Sequence, residues 1–130
     1  MATYEWAVLR VVPRVDRGEY VNVGVVVYCQ ALDFLCAAVT ADLSRARALD
    51  PGLDVDAVRA HLESVAAVCA GDPAAGDSGA RPRGERFRWL VAPRSTVVQP
   101  SPVHTGITDD PQSELDDLMD RMVGGPHDHR

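Results

Sequence analysis

The segment Tyr20–Tyr28 reads YVNVGVVVY, with valine at positions 21, 23, 25 and 27. Side chains alternate across a strand, so a period of two predicts Val21, Val23, Val25 and Val27 on one face and Tyr20, Asn22, Gly24, Val26 and Tyr28 on the other. A chain with this segment has to build a sheet and cover it. Tyr4–Val12, rich in Val with Trp6 and Tyr4, predicts a strand that stops at Pro13. Asp16-Arg17-Gly18 supplies the reversal between the two. A third strand is predicted from about Leu32 to Val39, and the short connections point to an antiparallel meander.

After the meander the period changes. Asp42–Leu49 reads as a short helix stopped by Asp50-Pro51-Gly52. Asp54 is the N-cap of a longer helix to about Ala70, with Val55, Val58, Leu62, Val65 and Cys69 as its apolar stripe and Gly71 as its C-cap. Gly71–Arg86 has no periodicity and is expected to be a mobile loop. Phe87–Ala92 is expected to be a fourth strand with Phe87, Trp89 and Val91 on one face, and Thr96–Gln99 a fifth, cut short by Pro100 and Pro102. Asp110 caps a final helix with Pro111 in its first turn and Leu115, Leu118, Met119, Met122 and Val123 in one stripe. The expected fold is α+β: an antiparallel sheet of four to five strands with about three helices packed on one face, one domain over residues 1–123, and a flexible tail at 124–130.

Several function classes are disfavoured. The formal net charge is -6, and a nucleic-acid-binding face is built from clustered base, so nucleic acid is an unlikely partner. No stretch reaches the roughly 18 apolar residues of a membrane span, and no secretory leader is visible, so a cytoplasmic protein is expected. All 13 basic residues are arginine, and Asn22 and Ile107 are the sole Asn and Ile. Lys, Ile and Asn share AT-rich codons, which points to a GC-rich genome and makes Asn22 a residue kept against the bias. Cys29, Cys36 and Cys69 have no metal-site spacing and read as buried thiols, and no metal or cofactor is expected.

Two polar clusters remain. The first runs Arg17-Gly18-Glu19-Tyr20-Val21-Asn22-Val23-Gly24. A glycine inside an apolar strand marks a bulge or the close approach of another backbone or a ligand, and an Asn amide can tie down a turn or read a ligand. The second, Pro93 to Gly106, holds Arg94, Ser95, Thr96, Gln99, Ser101 and His104 in a segment stiffened by prolines. Arg94 with Ser95 and Thr96 suits a phosphate or carboxylate. Ser95, Ser101 and His104 invite a nucleophile–base reading, though no GxSxG elbow is present. The plainer reading is that these hydroxyls satisfy irregular backbone. His104 and Glu19 are the candidate acid–base residues. His61 sits beside an apolar stripe, and His127 and His129 lie in the tail.

Those clusters also carry a resemblance. Tyr4 through Arg10 and Pro13, then Arg17-Gly18-Glu19-x-x-Asn22-Val23-Gly24-Val25, then Phe87-x-Trp89-Leu90, Pro93-Arg94-Ser95-Thr96 and Ser101-Pro102-Val103-His104-Thr105-Gly106, resemble a bacterial family catalogued as a domain of unknown function, DUF3037. The resemblance implies no chemistry. It does imply a neighbour, since members are often encoded beside a HipA-like serine/threonine kinase. The reading that results is a non-catalytic binding or adaptor module, with such a kinase as the partner. The alternative is a small enzyme or phosphate- or carboxylate-binding protein that uses Arg17, Glu19 and Asn22 together with Arg94, Ser95 and His104.

Overall fold

A computed structural model describes residues 1–124; the tail expected beyond Gly124 lies outside the described residues. The strands are β1 (Ala2–Val11), β2 (Val21–Cys29), β3 (Phe34–Val39), β4 (Val98–Pro100) and β5 (His104–Thr108). The helices are α1 (Ser44–Leu49), α2 (Val55–Ala70), α3 (Asp77–Ala80), α4 (Arg83–Leu90) and α5 (Pro111–Leu118), the last continuing into a π-helical turn over Met119–Val123. The sheet runs β3-β2-β1-β4, and β5 pairs with β1 beyond β4. Every pairing is antiparallel. The α+β class and the antiparallel five-strand sheet agree with the sequence expectation.

The helices do not share one face. Val26, Tyr28, Leu9 and Val11 pack with Val58, Leu62, Phe87 and Leu90 of α2 and α4. Val25, Val27 and Cys29 pack with Leu115, Leu118, Met119 and Val123 on the opposite side. The single-face arrangement is therefore corrected to a sheet sandwiched between α2/α4 and α5. The cause lies within β2. Leu9 pairs with Gly24 but Arg10 pairs with Asn22, so Val23 is an extra residue. This bulge reverses the alternation. Val21 and Val23 join the α2 side together with Val26, while Val25 and Val27 face α5. The predicted common face of Val21, Val23, Val25 and Val27 is broken there.

Gly24 sits at that reversal because nothing larger fits. A Cβ there would lie 2.7 Å from the Ala38 carbonyl oxygen and 3.3 Å from Leu9 Cδ1. This is the close backbone approach that a glycine in a strand signals.

Phe87–Ala92, expected as a strand, belongs to α4. Its alternating Phe87, Trp89 and Val91 imitate period two, but the buried residues are Arg86, Phe87 and Leu90, at helical spacing. Phe87 is fully buried and stacks on Tyr28 at 5.2 Å, whereas Trp89 is 44% exposed. The preceding stretch is folded into a 3-10 turn (Pro73–Ala75), α3 and the start of α4, in place of the expected loop. Arg86 anchors it by donating from Nη1 to the carbonyls of Val68 and Cys69, both at 2.9 Å, at the C-terminus of α2. Val68 O also accepts from the capping Gly71 N–H at 3.1 Å, both carbonyls lie in the last turn of α2, and a cation there also favours the helix dipole. The other helix ends follow their sequence signals. Asp54 accepts from Ala57 N at 3.0 Å, Gly71 takes the left-handed conformation at φ 69, and Asp110 accepts from Ser113 N.

The predicted strand at Thr96–Gln99 shifts to Val98–Pro100, and His104–Thr108 adds a strand that was not expected. The two lie end to end along β1, separated by Ser101-Pro102-Val103.

Candidate functional site

The first polar cluster is split by the turn it belongs to. Arg17 and Glu19 pair at the reversal, Nε to Oε1 at 3.0 Å, on the exposed side of the turn. Such an exposed pair contributes about 0–1 kcal/mol. Asn22 points the other way. Its Nδ2 donates to the Met122 carbonyl at 2.9 Å, which ties β2 to the π-helical turn after α5.

The second cluster mostly satisfies its own backbone. Arg94 lies 4.9 Å over the Trp89 ring and donates to the carbonyls of Trp89 and Ala92. Thr96 Oγ1 donates to Val98 O at 2.7 Å, and Gln99 Nε2 to Thr96 O at 2.8 Å. Ser101 is buried; its hydroxyl accepts from Val8 N at 2.8 Å and donates to Pro102 O at 2.9 Å. Ser95 is exposed. His104 is exposed too, and its ring rests against Trp6 at 4.5 Å.

The two clusters do not combine into a catalytic pair. His104 lies opposite Trp6, and Glu19 lies beyond the end of β2, where Val21 is opposite Val11. Trp6 to Val11 alone spans roughly 16 Å along the strand at about 3.3 Å per residue. Proton transfer needs contact near 3 Å. The Ser101 hydroxyl is committed to backbone groups on both sides, so no activated nucleophile forms there either. Among the described residues no group of three or more His, Cys, Asp or Glu is placed to hold a metal ion.

What the fold does bring together is one row across three strands. Arg10 of β1 is opposite Asn22 of β2 and opposite Gln99 of β4. Directly opposed residues share a face, and Asn22 fixes that face as the α5 side. Arg10 lies 4.2 Å over the ring of Tyr20. Tyr20 stood within the first polar cluster, but neither it nor Arg10 was read as a site residue, although a charge inside the apolar run Trp6–Val12 was the available signal.

Two further surfaces are recognisable. A cleft of ≈ 810 Å³ opens between β1, the end of β2 and α4, lined by Thr3, Glu5, Tyr28, Gly84, Arg88 and Trp89. It is crossed by the Arg88–Glu5 pair at 2.6 Å, a charge-assisted bond that raises the Arg88 pKa. The other surface is the outer edge of β3, which is terminal in the sheet. Phe34–Val39, FLCAAV, carries no charge, proline or glycine, and Val39 is 37% exposed. The opposite edge is interrupted by Pro100 and Pro102. Edge strands are usually blunted by charge, proline or a bulge, and only one of these two edges is.

Of the thiols, Cys29 ends β2, Cys36 lies within β3 and Cys69 lies in α2. Cys29 and Cys69 are buried and Cys36 is half-buried. Burial pushes the Cys69 pKa up to about 12 and raises that of Cys36. Burial lowers the His61 pKa, with the Arg94 charge adding to it. None of these is a thiol or imidazole poised for chemistry. Among the described residues no helix is long and apolar enough to cross a membrane.

The chain matches the model of a protein family of unknown function, DUF3037, over residues 6–123, and so belongs to that family. No curated protein and no solved structure matches it.

Proposed function

We propose that this DUF3037 member is a non-catalytic cytoplasmic binding module whose partner adds an extended segment to the free edge of β3. The observation that carries the reading is the contrast between the sheet's two edges: Phe34–Val39 is uncharged and unbroken, and Pro100 and Pro102 interrupt the other. Strand addition draws affinity from main-chain hydrogen bonds and specificity from alternate side chains, and an uncharged edge suits it. The separation of Glu19 from His104 and the commitment of Ser101 to backbone support binding over turnover. A HipA-like serine/threonine kinase is the partner proposed, on the strength of the neighbourhood that the family resemblance implies.

The test is co-expression with a HipA-like serine/threonine kinase from the same host. A stoichiometric complex is expected, with β3 amides slowed in hydrogen exchange when the kinase is bound. Val39→Lys, at an exposed edge position, should reduce capture at least about tenfold, since an edge lysine blocks strand addition. Failure to form a complex, or a complex in which β3 amides exchange as in the free protein, contradicts the proposal.

A further inference from the structure

We infer that the cleft between β1, the end of β2 and α4 binds an uncharged sugar, with Trp89 as its apolar wall and Tyr28, Glu5 and Arg88 reading its hydroxyls. The site does not use the β3 edge and stands whether or not that edge docks a partner.

The first observation is a buried hydroxyl at an opening. Tyr28 is 9% exposed, its ring stacks on Phe87 in the core, and its hydroxyl has no hydrogen-bond partner among the described residues. Buried polar groups are nearly always paired, and a buried tyrosine hydroxyl usually finds a partner. This one belongs to the wall of a cleft of ≈ 810 Å³, within the roughly 300–1,000 Å³ of small-molecule sites. Gly84, also in that wall, keeps the hydroxyl open, because a Cβ there would lie 2.9 Å from the Tyr28 oxygen. A glycine in α4 is a weaker helix former than alanine, and access to the hydroxyl is what it leaves in return.

Charge selects an uncharged ligand. The ionised side chains of the cleft are two carboxylates and two guanidiniums, already paired with each other: Glu5 with Arg88 at 2.6 Å and Glu85 with Arg81 at 3.2 Å. An anion or a cation would meet as many repelling charges as attracting ones and would have to loosen a pair. An uncharged hydroxyl uses a pair as it stands, accepting from the guanidinium and donating to the carboxylate beside it. The Tyr28 hydroxyl also donates and accepts, as the hydroxyls of a sugar do. Trp89 selects the shape. It is 44% exposed, Arg94 lies 4.9 Å over its ring, and it shares the cleft wall with Pro82. A pyranose has an apolar C–H face and a rim of hydroxyls. The face packs on the indole and Pro82 while the rim meets Tyr28 and the Glu5–Arg88 pair. A nucleobase offers the flat face with few polar edge atoms, and phosphate offers charge with no apolar face.

The full chain, with its tryptophan indoles and backbone amides labelled for NMR, is titrated with maltose, cellobiose, xylobiose and diacetylchitobiose, and with adenosine and inorganic phosphate. At least one disaccharide should bind with a Kd of about 1 mM or tighter. It should move the Trp89 Nε1–H and Gly84 amide signals and leave the Trp6 indole, which packs on the α5 side, in place. Tyr28→Phe keeps the ring on Phe87 and should weaken that binding about tenfold, the scale of one lost hydrogen bond to a buried group. Gly84→Ala sets a methyl against the hydroxyl and should weaken it at least as much. Arg47→Gln, at an exposed arginine of α1, should change nothing. The tetrasaccharide of the bound sugar binding about tenfold tighter than the disaccharide identifies a glycan chain as the source; equal affinity identifies a small free sugar. The inference is overturned if no disaccharide moves the Trp89 and Gly84 signals, or if adenosine or phosphate binds as well as the best disaccharide. It is also overturned if a folded Tyr28→Phe or Gly84→Ala protein binds as the parent does.

Discussion

The two faces of the sheet are built from the same strands but closed differently. On the α2/α4 side, Leu9, Val11, Val23, Val26 and Tyr28 meet a continuous apolar layer from Leu43 to Leu90. On the α5 side, a short helix and its π-helical turn cover Val25, Val27 and Cys29. Beside that turn the surface becomes polar, with Asn22, Arg10 and Gln99 in a row. One face is core from end to end, while the other is core over β2 and β3 and a polar surface over the end of β1. The bulge at Val23 makes the difference, because it reverses which residues face which helix midway along β2. With strict alternation Val21 and Val23 would share the α5 face with Val25 and Val27, and Asn22 would lie on the α2 side with Val26.

The largest expected effect tests whether both faces are core. Phe87→Ala, on the α4 side, should cost about 3–5 kcal/mol, and Leu118→Ala, on the α5 side, about 2–5 kcal/mol, both read by denaturant unfolding. A near-silent Leu118→Ala would break the comparison by reducing α5 to an accessory. Gly24→Ala probes the seam. Its methyl meets the Ala38 carbonyl oxygen at 2.7 Å, which belongs to backbone and cannot rotate away. A loss of about 1–3 kcal/mol is expected, with the strongest chemical-shift changes in β2 and β3.

Smaller effects sharpen how α5 is held. The Asp110 carboxyl lies below its ordinary range because the Ser113 hydroxyl and N–H both donate to it. A depressed folded value means that the cap stabilises above the unfolded pKa, near about 4, and that this stability is lost as pH falls through the folded value. The melting difference between the parent and Asp110→Ala should be full at neutral pH and narrow below about pH 4. Smallest of all is thiol labelling. Half-buried Cys36 should react first with a disulfide reagent, and Cys69, with its pKa near about 12, only as fast as the protein opens.

Much of this frame was legible in the sequence because it rests on local chemistry. The caps Asp54, Gly71 and Asp110 and the stripes of α2 and α5 follow from short-range hydrogen bonding and helical period. Three features escaped. Phe87, Trp89 and Val91 alternate as a strand would, and only the tertiary demand for Phe87 against Tyr28 and for Arg86 at the end of α2 decides for a helix. The bulge leaves a trace, Gly24, but a glycine does not say which way the phase shifts. The uninterrupted apolar run Val25–Val27 was a sign of burial on both faces, and period two alone hid it.

The candidate site was harder to read for a related reason. Asn22 and Gln99 were named as site residues, but the residue that joins them, Arg10, is distant in sequence from both and becomes their neighbour only through strand register. Arg94, Ser95, Thr96 and Ser101 looked functional because polar residues were concentrated there, and three of the four serve the backbone of their own segment or the start of the next strand.

The central claim, that the sheet is core on both sides, is tested most directly by two adjacent residues of β2. Val25 and Val26 are both 0% exposed and face α5 and α2 respectively. Val25→Ala and Val26→Ala, measured separately by urea unfolding, should each cost about 1.5–3 kcal/mol. If either substitution leaves stability within about 0.5 kcal/mol of the parent, one face of the sheet is not core and the account fails.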